Sequence, residues 1–310
     1  MSNVPPQFQP DLPVPPPAAP DPAPPPDGPP PAAPDEPGRP GWPAWLSIAG
    51  FAAGFGATAV LGIFIIVIAS AFGASAEDPP PGVVIGLTVG QNLAFVGTAF
   101  FLAFLVGGRP TGSDFGLIPT PWRRAARLLV AIWIAFFVLS AIWAAALSLD
   151  DRQTLPDELG ANGPLLNALA VIVLVTVIAP IGEELFFRGF FFGALRNWRG
   201  PIVAAVLSGA LFGLFHAGSS PVGYLVPLAI FGFGLCMLYH LTGSLYPAIA
   251  LHALNNSVAL GVSLKYGAEI VVAMMIGSTI ASLLCARLLA RVLGERRPGQ
   301  PSSAPAPEPT

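Results

Sequence analysis

The sequence is poor in charge. Only 10% of its 310 residues are Asp, Glu, Lys or Arg, against about 25% in an ordinary soluble domain. With 14 basic and 17 acidic residues the net charge is -3, which excludes the strongly basic balance of a nucleic-acid binder. Cysteine is scarce too: Cys236 and Cys285 lie in apolar runs without CxxC or Cys/His spacing, so neither a disulfide framework nor a zinc knuckle is indicated, and both read as small core residues. No HExxH occurs, which removes the best-known zinc-protease signature. What the chain does have is apolar surface. Hydrophobic residues make up 54% of it and its mean hydropathy is +0.69, the composition of a multi-spanning membrane protein.

Proline is spread unevenly. Of the first 43 residues 19 are proline, five are acidic and one, Arg39, is basic. Such a segment buries too little surface to offset its ordering entropy, so residues 1–43 are expected to form a disordered tail, partly polyproline II. The tail lacks the basic start and apolar run of a signal peptide, which favours retention in the cytoplasm. Its alternatives are a bland spacer or a docking arm for a proline-binding partner. Residues 294–310 read as a second, shorter tail of the same kind.

Between the tails, residues 44–293 read as one all-α polytopic membrane helix bundle. Eight apolar stretches approach the roughly 20 residues needed to cross about 30 Å of hydrocarbon. They lie at about 44–72, 83–106, 125–148, 164–195, 201–217, 221–240, 243–261 and 268–292. Arg109, Arg123, Arg124, Arg127, Arg196, Arg199, Arg287, Arg291, Arg296 and Arg297 all fall on one side of such a bundle. The other side carries Glu77, Asp78, Asp150, Asp151, Asp157 and Glu158, with Arg152 and Lys265. The positive-inside rule then puts both termini in the cytoplasm of a plasma-membrane protein.

One stretch breaks the apolar pattern at a cost. "PIGEELFFRGFFF", Pro180 to Phe192, places two carboxylates and a guanidinium where each should be expelled. On an α-helix Glu184 and Arg188 share a face at i and i+4, so they can neutralise one another. Glu183 points about 100° away and is left for other work. Helix four is expected to turn at "RNWRG", Arg196 to Gly200, and residues facing each other across that hairpin include Glu183 and His216. Each lies about 14 or 15 residues from the turn, roughly 21 Å at 1.5 Å per residue, so an acid and an imidazole meet at matching depth. Pro180, Gly182 and Gly189 are the residues that can kink the helix and shift this register.

Helix seven adds "LHALNN", Leu251 to Asn256. His252 and Asn256 are i and i+4 on one face, with Asn255 rotated off it. His240 beside Tyr239 at a helix end reads as an interfacial hydrogen bonder. Glu, His, His and Asn converging inside a membrane suit amide hydrolysis. A desolvated carboxylate acting with an imidazole takes a proton from water, and an Asn amide with a second imidazole donates hydrogen bonds to the oxyanion.

"EELFFR" (Glu183–Arg188), "FGLFH" (Phe212–His216) and "HALNN" (His252–Asn256) resemble, in order and spacing, the EExxxR, FxxxH and HxxxN/D motifs of the CPBP family. These are the CAAX proteases and bacteriocin-processing enzymes, also called Abi or type 2 CAAX prenyl endopeptidases. The resemblance covers about residues 164–260. It implies an intramembrane glutamic endopeptidase acting on a membrane protein or peptide. In that scheme Glu183 and His216 activate water and His252 with Asn256 form the oxyanion hole. Glu184, Arg188 and Phe212 support the site. No cofactor is expected, although a zinc held by Glu183, His216 and His252 is chemically reasonable. Two readings from other classes compete. In a transporter the buried acid and histidines would be a proton relay. In a non-catalytic scaffold the proline-rich tail would be the working part.

Overall fold

The computed structural model describes residues 41–148, 156 and 159–294. The expectations for the tails at 1–40 and 295–310, and for Asp150, Asp151, Arg152, Asp157, Glu158, Arg296 and Arg297, lie outside those residues. Within them the chain forms helices α1 (Trp45–Ala71), α2 (Pro81–Gly107) and α3 (Trp122–Leu147), then α4 (165–198), α5 (201–215), α6 (Leu225–Thr242), α7 (Tyr246–Ser263) and α8 (Ala268–Leu293). No strand occurs among the described residues, so the all-helical bundle expected from composition is the fold observed.

Helix boundaries follow local chemistry. Pro81 opens α2 in the first-turn position, where a missing N–H costs nothing. Between α4 and α5, Arg199 and Gly200 leave helical geometry (Gly200 φ 78°, ψ 174°) and Pro201 starts the next helix. The break falls in the "RNWRG" turn where the hairpin was expected. Gly243, left-handed at φ 66°, closes α6.

Six stretches of the described residues are long and apolar enough to cross a membrane. One of these stretches, residues 165–215, is the α4–α5 pair, broken at Arg199 and Gly200. Helix α7 is not among the six. It carries His252, Asn255, Asn256 and Ser257 and is walled in by protein, with Pro247 to Ala253 all buried. A helix surrounded by other helices need not be apolar all round.

Lipid is as apolar as leucine, so close packing rather than water exclusion holds such a bundle together. On the α5–α6 seam the closeness is extreme. A Cβ on Gly209 would stand 2.7 Å from Ala229 O and Phe233 N, one on Gly213 would strike Leu225 O, and one on Gly232 would lie 3.0 Å from Gly209 Cα. Elsewhere aromatic rings interlock. Phe186, Phe187, Phe190, Phe191 and Phe192 of α4 are all buried, and Phe186 meets Phe95 of α2 edge-on at 4.6 Å. At the arginine-bearing end, the "DFGL" loop before α3 is clamped into the bundle. Phe115 stacks on Phe100 at 4.4 Å and meets Trp42 at 5.4 Å, while Leu245 N–H donates to Gly116 O at 2.7 Å. Trp42 falls on the tail side of the boundary drawn at residue 43, yet it is buried, and its carbonyl accepts from Asn197 Nδ2 at 3.1 Å.

Candidate active site

The polar residues singled out in the sequence lie on α4, α5 and α7. Helix α4 is not a plain α-helix where it carries them. It widens into π turns at Leu174–Ile178 and again at Glu184–Phe192, with a short α segment, Ala179–Glu183, between. Wider turns rotate successive residues through a smaller angle than an α-helix does, and such bulges gather at functional sites. Adjacent Glu183 and Glu184 consequently reach the same partner.

That partner is His252. Its Nδ1–H donates to Glu184 Oε1 at 2.7 Å, while its Nε2 stands 3.8 Å from Glu183 Oε2. The longer contact is an ion-pair distance and no hydrogen bond, and Glu183 Oε2 has no hydrogen-bond partner among the described residues. Glu184 Oε1 also accepts from Arg188 Nη1 at 2.8 Å, and Arg188 Nη2 donates to Gly232 O of α6 at 3.0 Å. The Arg188 guanidinium carbon lies 4.4 Å from the centroid of Phe212. Glu184 and Arg188 have wholly buried side chains, whereas that of Glu183 is 13% exposed. Of the two acids, only Glu183 keeps any exposed side-chain surface.

Phe212 separates the histidines. Its ring centroid is 4.8 Å from His216 and 5.7 Å from His252. His216 closes α5, and its Nδ1 is 2.8 Å from Phe212 O. A carbonyl only accepts, so Nδ1 carries the proton, and in the neutral ring Nε2 is the bare, basic nitrogen. On α7, Asn256 Nδ2 donates to Val175 O at 2.9 Å, inside the first π turn.

Glu183, Glu184, Arg188, Phe212 and His252 are thus brought into contact where α4, α5 and α7 meet, His216 joins them through Phe212, and Asn256 binds α4 at Val175 O. Glu184 pairs with Arg188 as the i, i+4 spacing implied, but holds His252 as well. Glu183 contacts His252, and among the described residues no hydrogen bond or ion pair links it to His216. Asn256 spends one of its two N–H groups on backbone. Asn255, rotated off that face, accepts from Trp133 Nε1 of α3 at 3.3 Å. His240 is exposed near the end of α6. Cys236 is buried, but Cys285 is exposed and is not a core residue.

One polar neighbour escaped the sequence reading. Asn92 of α2 is 8% exposed, donates through Nδ2 to Thr88 O at 2.9 Å, and rests its Oδ1 where a Cβ on Gly182 would come within 2.6 Å. Gly182 is therefore glycine because α2 presses on the turn before Glu183. The adjacent amides Gln91 and Asn92 inside a largely apolar run were the signal.

A zinc would need Glu183, His216 and His252 as ligands. Among the described residues no three His, Cys, Asp or Glu side chains are placed to hold a metal ion. As arranged, these residues do not fit a metal site.

With the geometry in place, the chain can be compared with known proteins. Residues 165–258, the segment that carries all seven residues, match the family model "Type II CAAX prenyl endopeptidase Rce1-like". UPF0177 protein YxdF of Lactococcus lactis is 27% identical over 135 residues, 42% of this chain and 73% of that protein. The Bacillus subtilis protein named "Putative membrane peptidase YdiL" is 29% identical over 94 residues, 30% of this chain and 37% of YdiL. No solved structure matches the chain significantly.

Proposed function

From the Rce1-like domain that the chain carries at residues 165–258, we propose that this multi-pass membrane protein is an intramembrane peptidase that hydrolyses a peptide bond of a membrane-associated protein or peptide. The observation that carries the reading is the pair of carboxylates flanking one imidazole inside a helix bundle, Glu184 at Nδ1 and Glu183 at Nε2 of His252. A buried cluster of this kind costs stability unless its charges are matched, and a structural ion pair would not need the second acid.

Glu183 and the basic Nε2 of His216 take the proton of a water molecule as its oxygen attacks the scissile carbonyl. The carbonyl oxygen becomes an oxyanion. The free N–H of Asn256 and an Nε2–H on His252 donate to it, and each such donor contributes about 3–4 kcal/mol in comparable sites. As the C–N bond breaks, the proton held on the Glu183 side passes to the leaving amine. Glu184 fixes the ring of His252 as the third member of a catalytic triad fixes its histidine. Both termini lie on the cytoplasmic side of the plasma membrane in this reading, since the arginine-bearing end of the bundle holds Trp42 and Gly294.

Comparative peptidomics of membranes carrying either the intact protein or Glu183→Gln tests the proposal. Leader or C-terminal fragments are expected only with the intact protein. Identical fragment patterns would overturn it.

A further inference from the structure

The first π turn of α4 ends on a residue that cannot continue it. Ala179 N–H donates to Leu174 O, five residues back. The next donor in the same ladder would be residue 180, reaching Val175 O, and residue 180 is proline, which has no N–H. Counted as an α turn instead, the missing donor would have served Thr176 O. Both carbonyls are taken by side chains from other helices: Val175 O by Asn256 Nδ2 of α7 at 2.9 Å, and Thr176 O by Ser282 Oγ of α8 at 3.4 Å. A buried carbonyl in a membrane must find a donor, so the gap in the ladder dictates where the Asn256 carboxamide binds.

We propose that Pro180 is a positioning residue for Asn256. By withholding a backbone donor, it reserves Val175 O for one N–H of that amide and thereby aims the other. A primary amide has two donors in one plane. Fixing the first at 2.9 Å on a rigid helix sets the direction of the second without a further side chain. The inference deepens the peptidase reading, in which that second N–H meets the oxyanion. It also explains why proline stands three residues before Glu183 in a helix where it would otherwise be a defect.

Pro180→Ala restores the donor, which competes with Asn256 for Val175 O. The probe is the set of membrane fragments whose release requires Glu183. Asn256→Ala is expected to lower their yield about a hundredfold, and Pro180→Ala at least about tenfold through misplacement. The double variant Pro180→Ala/Asn256→Ala is expected to match Asn256→Ala alone, because Pro180 acts through that amide. Ser282→Ala, which removes the neighbouring side-chain donor without touching Asn256, leaves the yield unchanged. A second readout does not depend on cleavage. The side-chain amide signal of Asn256 in 15N-Asn-labelled protein should shift in Pro180→Ala and stay in place in Ser282→Ala.

Additive losses in the double variant, or an unmoved Asn256 amide signal in Pro180→Ala, overturn the inference. Full activity of Asn256→Ala instead removes the oxyanion role, while fragments persisting in Glu183→Gln remove the peptidase reading itself. The outcomes are therefore separable.

Discussion

Glu184 Oε1 and His252 Nδ1 meet at 2.7 Å across 68 residues of sequence, and the same oxygen holds Arg188 Nη1 at 2.8 Å. One atom thereby ties α4 to α7 while Arg188 carries the link on to Gly232 of α6. Glu184→Gln removes the charge that both cations face. Losing one member of a fully buried pair costs about 3–5 kcal/mol, so thermal unfolding in detergent should shift well downward and cleavage should vanish with it. An unchanged midpoint would show that the pair does not hold the bundle.

Glu183→Gln should behave in the opposite way. Its Oε2 makes no hydrogen bond and its nearest cation, at 3.8 Å, already has another acid. The variant is expected to unfold at or slightly above the wild-type temperature while losing all activity. Destabilisation as large as that of Glu184→Gln would mean the two acids share one structural role.

Phe212 spaces the two imidazoles and faces the Arg188 guanidinium. Phe212→Leu keeps most of the bulk but frees both histidine rings. The protein should stay folded and lose activity at least about tenfold, since small misplacements of reacting groups are costly. Circular dichroism and fragment yield, read on the same preparation, check this.

In the proposed mechanism Glu183 and His216 activate water without a metal, so chelators are expected to leave cleavage unaltered. The check is treatment with EDTA and with 1,10-phenanthroline, together with metal analysis of purified protein. Inhibition reversed by zinc, with one metal bound per chain, would establish the alternative.

Orientation is open to a direct measurement. A reporter that fluoresces only in the cytoplasm, fused after the C-terminus, should be bright. An alkaline phosphatase fused there should be inactive, because that enzyme matures only outside. The reverse pattern would invert the arginine-based topology.

Much of this was legible before any coordinates, for identifiable reasons. Charge in an apolar helix is so unfavourable that Glu183, Glu184 and Arg188 announced themselves, and the Arg199–Gly200 break was marked by Gly next to Pro. The partners were less legible than the members. On a plain α-helix Glu183 and Glu184 would point about 100° apart, and the two π turns narrow that angle so that both reach His252. The Glu184–His252 bond joins α4 to α7, with α5 and α6 between them in sequence, and no periodicity within one helix reports it. Asn92 was missed because its meaning depends on its position against Gly182 of another helix. Trp42 was placed with the tail by composition, and only tertiary packing buries it.

If the protein acts as the proposed peptidase, the glycines between α5 and α6 limit how its substrate gets in. With Gly213 against Leu225 O and Gly209 against Ala229 O, backbone lies on backbone and leaves no gap for an extended strand to slide through. Ingress from the bilayer must use a different flank of the molecule. A crosslink clasping α5 to α6 would then be harmless to turnover, and the same clasp across the true doorway would jam it.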